Sequence, residues 1–123
     1  MADQTDPRRA LGEYGERLAE RYLTDRGLAV VDRNWRCARG EIGLVARDGD
    51  CLVFCEVKTR RSERFGTPIE AVDWRKTARL RRLAAAWLQA HDERPGRIRI
   101  DVIGILRPVD GPARVRHVQG VGA

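Results

Sequence analysis

Eight residues near the middle of the chain, Cys51-Leu52-Val53-Phe54-Cys55-Glu56-Val57-Lys58, predict a strand that is apolar on both sides. Successive side chains of an extended chain point to opposite faces. Leu52 and Phe54 therefore share one face, and Val53, Cys55 and Val57 fill the other. A strand of this kind needs cover above and below, which suits a sheet lying between helices.

The flanking pattern supplies that cover. An amphipathic helix is predicted from about Arg9 to Arg26, with Leu11, Tyr14, Leu18 and Tyr22 on one stripe and Gly27 as its stop. A short strand follows over Ala29 to Asp32, then an irregular stretch, Asn34-Trp35-Arg36-Cys37-Ala38. Glu41 to Arg47 forms a strand with Ile42, Leu44 and Ala46 on one face, joined to the central strand by the hairpin signal Asp48-Gly49-Asp50. Thr59 to Glu70 is too polar for core and reads as a surface loop. A second helix runs from Asp73, its N-cap, to His91, with Leu80, Leu83, Ala84, Trp87 and Leu88 as the core stripe. Strands at Arg97 to Leu106 and Ala113 to Val118 close the domain. The order α-β-β-β-α-β-β defines an α/β sandwich around a small mixed sheet. Its 123 residues are one domain's worth, read as a single domain over 9–119 with a disordered tail at 1–8 and a C-terminal tail at 120–123.

Charge is concentrated rather than spread. The net charge is +6, yet residues 1–56 sum to −2, residues 57–99 to +7 and residues 100–123 to +1. The basic segment is either a polyanion-facing surface, with nucleic acid the first candidate, or a solvated face balanced elsewhere in the fold. No apolar run approaches the roughly 20 residues of a membrane span, and Met1 to Arg9 lacks the apolar region of a secretion signal, so the expected compartment is the cytoplasm. Three cysteines, Cys37, Cys51 and Cys55, argue against a disulfide framework and read as small buried apolar residues. Trp35 and Trp74 are expected to be partly buried core rather than the docking face of an adaptor protein.

Of the 24 basic residues only Lys58 and Lys76 are lysine. Arginine stays protonated, whereas a lysine is a compact donor that shifts its pKa on burial. Glu56 and Lys58 end the central strand on one face, where a metal-binding carboxylate would stand beside a group that positions water. An ordinary ion pair at a strand terminus fits the same residues. Lys76 falls within the stripe of Leu80, Leu83 and Trp87, so it either snorkels or points into a polar pocket. Arg75, Arg79 and Arg82 cluster on a different, solvated face, and Glu16 lies at the border of the first helix's apolar stripe.

Taken in order, Gly12-Glu13-Tyr14-Gly15-Glu16, Asn34-Trp35-Arg36, Gly40-Glu41-Ile42 and Val53-Phe54-Cys55-Glu56-Val57-Lys58-Thr59-Arg60 resemble the YraN family. Phe65-Gly66, Pro68, Glu70-Ala71-Val72, Lys76 and Asp101-Val102 continue the match over roughly residues 11–106. The family is similar to Holliday-junction resolvases and to the PD-(D/E)xK nucleases. The resemblance implies a restriction-endonuclease-like fold, a divalent metal (magnesium, with manganese as substitute) and hydrolysis of phosphodiester bonds in branched or single-strand-containing DNA. It makes Glu56 a metal ligand, Lys58 the group that orients or activates water, and Glu16 the helix-borne acid that completes the site. It places Lys76 toward the phosphate and Arg60, Arg61 and Arg64 along the DNA backbone, and by analogy it allows a homodimer. The family's G-E-I-D-L reads Gly40-Glu41-Ile42-Gly43-Leu44 here, so the signature aspartate is missing. Glu41 shares Gly43's strand face but lies roughly 6.6 Å back along the strand, and is the remaining candidate ligand through a water. Either catalysis is lost or reduced, leaving a non-catalytic nucleic-acid-binding module, or another carboxylate is recruited.

Overall fold

A computed structural model describes residues 6–64 and 66–122. Helix α1 spans Pro7–Asp25, strand β1 Ala29–Cys37, β2 Gly40–Asp48, β3 Cys51–Arg60, helix α2 Trp74–Ala90, β4 Arg97–Leu106 and β5 Arg114–Val118, with one 3₁₀ turn at Ile69–Ala71. The strands lie in the order β1-β2-β3-β4-β5. Among the described residues only β3 and β4 pair in parallel, and α2 supplies the crossover that a parallel pair requires. This is an α/β restriction-endonuclease-like fold.

The two faces of β3 part as its sequence demands. Cys51, Val53 and Cys55 pack under α1 with Ala19, Leu23, Ile103 and Ile105. Leu52 and Phe54 pack under α2 with Leu80, Leu83, Ala84, Trp87 and Ile100. Cys51 and Cys55 are buried free thiols, and burial pushes that of Cys55 well above its ordinary value.

Helix α1 starts at Pro7 rather than Arg9, because Asp6 caps it by accepting the Arg8 N–H at 3.0 Å. The expected tail at 1–8 thus contains helix from Pro7 onward, while residues 1–5 lie outside the described residues. Its fully buried line is Gly15, Ala19 and Leu23, with Tyr14, Leu18 and Tyr22 flanking. Small residues there let the helix press close to β3. A Cβ on Gly15 would lie 1.7 Å from Thr59 Oγ1 and 2.9 Å from Thr59 Cβ. Helix propensity alone predicts that Gly15→Ala stabilises by about 0.5–1 kcal/mol. The contact reverses the sign, and we expect a loss of about 1–3 kcal/mol, read as a lower urea midpoint with an unchanged m-value.

Four local expectations need correction. The stretch over residues 34–37 is strand, not irregular: β1 pairs with β2 out to Cys37↔Gly40, with a bulge between Val30 and Asp32 and Asn34 at φ +49°. These two distortions and the solvent-facing polar residues of an edge strand mask its alternation. Ile42 does not share a face with Leu44 and Ala46; it packs on the α2 side with Val45. The surface loop begins after Arg60, because Thr59 and Arg60 extend β3 against Ile105 and Leu106. Finally, residues 120–122 are docked rather than a tail: Val121 N–H donates to Ile100 O at 2.8 Å, and Arg81 Nη2 donates to Gly122 O at 2.9 Å. Ala123 lies outside the described residues.

Trp35 is partly buried against the α2-side core, as expected, whereas Trp74 is 72% exposed. Trp74 is the first residue of α2.

Candidate functional site

The site follows from where the sheet stops being continuous. Strands β2 and β3 pair from Asp48↔Cys51 to Leu44↔Cys55 and then part. Beyond that point Gly40 to Ile42 stays with β1, and Glu56 to Arg60 stays with β4. The alternation of β2 breaks at the same place. The Cβ direction of Gly43 faces Glu16 of α1, and the next residue, Leu44, also packs on the α1 side. The result is a fork whose two prongs carry Glu41 and Gly43 on one side and Glu56 and Lys58 on the other.

The helices bring charge into this opening. Glu56 Oε2 lies 3.8 Å from Lys58 Nζ and 3.8 Å from Lys76 Nζ. Glu56 is only 19% exposed, so the carboxylate is held between two ammonium groups with little water. The lysine on the α2 stripe therefore points into a polar pocket. The Lys76 amine beside it, together with burial, lowers the pKa of Lys58 below its ordinary value, and the attraction of Glu56 offsets this in part. Glu16 is half-buried on the α1 side. Burial, followed by the charges of Glu41, Glu56 and Glu13, raises its pKa, against a smaller opposing pull from Arg36.

Open clefts meet at the fork. One of about 200 Å³ is lined by Glu41, Glu56, Lys76, Arg79, Leu80 and Leu83. Another, of about 470 Å³, takes in Glu16, Lys58, Arg60 and Arg61 together with Arg8 and Gly12. Arg64 is exposed in the loop that follows β3. Phe65, part of the motif match, lies outside the described residues.

Three contributors escaped the sequence reading. Arg79, expected on a separate solvated face, lines the Glu56–Lys76 cleft; its position three after Lys76 is a spacing that brings helix residues side by side. Gly40, at φ +140°, leaves room for that guanidinium, since a Cβ there would meet Arg79 Nη2 at 2.8 Å. Arg36 donates from Nε to Glu41 Oε2 at 3.3 Å, so Glu41 already has a cationic partner.

The magnesium implied by the resemblance can be tested against these donors. A Cβ on Gly43 would lie 3.4 Å from Glu16 Oε2, so the empty side-chain position is beside the helix-borne acid. Among the described residues no group of three or more Asp, Glu, His or Cys side chains is placed to hold a metal ion. Glu56 is engaged by two lysines and Glu41 by an arginine. As arranged, the donor set does not fit the metal.

Element order and sheet topology together define an α/β domain of the restriction-endonuclease-like fold. The comparisons with known proteins agree at the level of family: the chain belongs to the uncharacterised protein family UPF0102, whose model matches residues 15–105 and which is the YraN family resembled in its motifs. It is 60% identical over 113 residues to a UPF0102 protein of Kineococcus radiotolerans, covering 91% of this chain and 93% of that one. It is also 60% identical over 113 residues to one from Beutenbergia cavernae, covering 92% and 96%, and 56% identical over 111 residues to one from Frankia alni, covering 90% and 92%. No helix among the described residues is long and apolar enough to cross a membrane.

Proposed function

We propose that this protein binds DNA through the fork of its sheet, as a nuclease-like domain whose own donors leave the metal position incomplete. The observation that carries the reading is the pairing of Lys58 and Lys76 about the partly buried Glu56, where β3 is free of β2. The carboxylate gathers both ammonium groups at the mouth of clefts that also hold Arg60, Arg61 and Arg79. Such a cluster suits the spaced negative charges of a phosphodiester backbone. Residues 57–99 carry the chain's whole positive surplus, so the approach to the fork is favourable as well. The endonuclease reading, metal-dependent hydrolysis of branched DNA, needs a ligand that Gly43 does not provide.

The test is fluorescence anisotropy with a four-way junction and a matched duplex at several salt concentrations. Affinity should fall steeply between about 50 and 200 mM salt, because phosphate contacts release counterions. The double variant Lys58→Ala/Lys76→Ala should weaken binding at least tenfold and lower the salt slope by about two, near one per lost cation. Binding that ignores salt, or a double variant that binds like the parent, would overturn the proposal.

A further inference from the structure

We infer that Trp74 is a stacking platform for an unpaired nucleobase, which would make the protein a binder of single-stranded or locally unpaired DNA. The inference rests on the DNA-binding reading above and extends it from phosphate to base. Trp74 is 72% exposed, although burying a large apolar side chain ordinarily stabilises a fold. It is the first residue of α2 and stands two positions before Lys76, whose amine reaches the fork. The Arg75 guanidinium lies 5.4 Å from its ring centroid.

The surroundings decide what the ring would accept. Helix α2 carries Arg75, Lys76, Arg79, Arg81 and Arg82 and has no acidic residue from Trp74 to Ala90. Asp73, just before it, is occupied as the N-cap, accepting the Lys76 N–H at 3.1 Å. An exposed aromatic set in a positive surface is the arrangement that binds single strands, with cations along the backbone and a ring under a base. In a continuous duplex both faces of each base are covered by its neighbours, so the ring has nothing to stack on. Trp74 should therefore discriminate strand state, and Lys58 and Lys76 should not.

The experiment compares parent, Trp74→Ala and Trp74→Phe on three probes at one salt concentration: oligo-dT, the same strand with abasic sites, and a blunt duplex. Trp74 is a surface residue, so neither variant threatens the fold. Trp74→Ala should weaken oligo-dT binding by roughly 5- to 100-fold and leave the abasic strand and the duplex within about twofold of the parent. Trp74→Phe should recover much of the loss. If all three probes weaken alike, or none does, while the parent still binds with a steep salt dependence, the stacking inference fails and the DNA-binding reading stands. If the parent binds none of the probes, both fall, and the exposed tryptophan is better read as a protein contact.

Discussion

Asp101→Ala should lower the melting temperature by about 10–20 °C. Asp101 is fully buried, and its carboxylate accepts four hydrogen bonds. Arg99 donates from Nε at 2.8 Å and Nη2 at 3.0 Å, His117 from Nε2 at 2.7 Å and the Gly120 N–H at 3.0 Å. On the other side of the ring, His117 Nδ1 lies within hydrogen-bond distance of the Tyr22 hydroxyl at 3.3 Å, so the network ties α1, β4, β5 and the C-terminal residues together. Removing the acid takes both hydrogen bonds from a guanidinium that is only 19% exposed, leaving it the Asp48 carboxylate 3.6 Å from Nη1, and it strands a ring nitrogen that is nearly enclosed. Breaking a buried pair in this way costs about 3–5 kcal/mol, a large share of the roughly 5–15 kcal/mol that holds a domain folded. For a domain of this size each kcal/mol moves the midpoint by several degrees. Thermal unfolding followed by circular dichroism checks the value, and a shift below about 3 °C would mean the network is redundant. Because the hydrogen bonds and ion pairs of Asp101 among the described residues go to Arg99, His117 and Gly120 and not to Lys58, Glu56 or Lys76, DNA affinity measured well below the midpoint should be unchanged.

Gly43→Asp should make stability depend on divalent cations, which in the parent it should not. The substitution is sterically admitted: Gly43 is not in a left-handed conformation, and a Cβ meets only Glu16 Oε2 at 3.4 Å and Cys55 O at 3.6 Å. Its cost is electrostatic. The carboxyl of Glu16 already has a raised pKa from burial and from the charges of Glu41 and Glu56, and a further carboxylate raises it again. A raised carboxyl pKa means that the folded state holds the proton more tightly than the unfolded state. Stability therefore falls as pH rises from the ordinary value near 4.5 through the raised one. The metal-free variant should match the parent near pH 4 and trail it by about 1–3 kcal/mol at pH 7.5. A cation that binds only the folded variant returns about 2.7 kcal/mol at one hundred times its dissociation constant. Adding magnesium or manganese at matched ionic strength should thus raise the variant's melting temperature by about 5–10 °C and leave the parent's within a degree. No cation response in the variant would mean that the carboxylates do not converge on position 43, and the fork would lose its claim to be a reduced nuclease site.

Much of this could be read from the chain alone, and the reason is locality. The double-sided apolarity of Cys51–Val57 required helices on both faces, and period and caps located them: Asp73 and the Leu80–Leu83–Trp87 stripe act within a few residues of one another. Glu56, Lys58 and Lys76 were visible because a charge on an otherwise apolar face departs from a short-range pattern. What tertiary structure decided lies where that pattern meets a distant partner. Strict alternation put Ile42 with Leu44, but the parting of β2 from β3 turned it to the opposite helix. Trp74 and Trp87 belong to one helix, yet the first is exposed and the second buried, because only the second lies over Phe54. Gly15 is a poor helix residue until Thr59 arrives above it, and nothing near Asp101 announces His117 as its partner. The sequence determined which elements form and which faces they bury. Where two strands separate, and which charges the gap then gathers, depends on contacts between residues far apart in the chain, and only the folded molecule sets those.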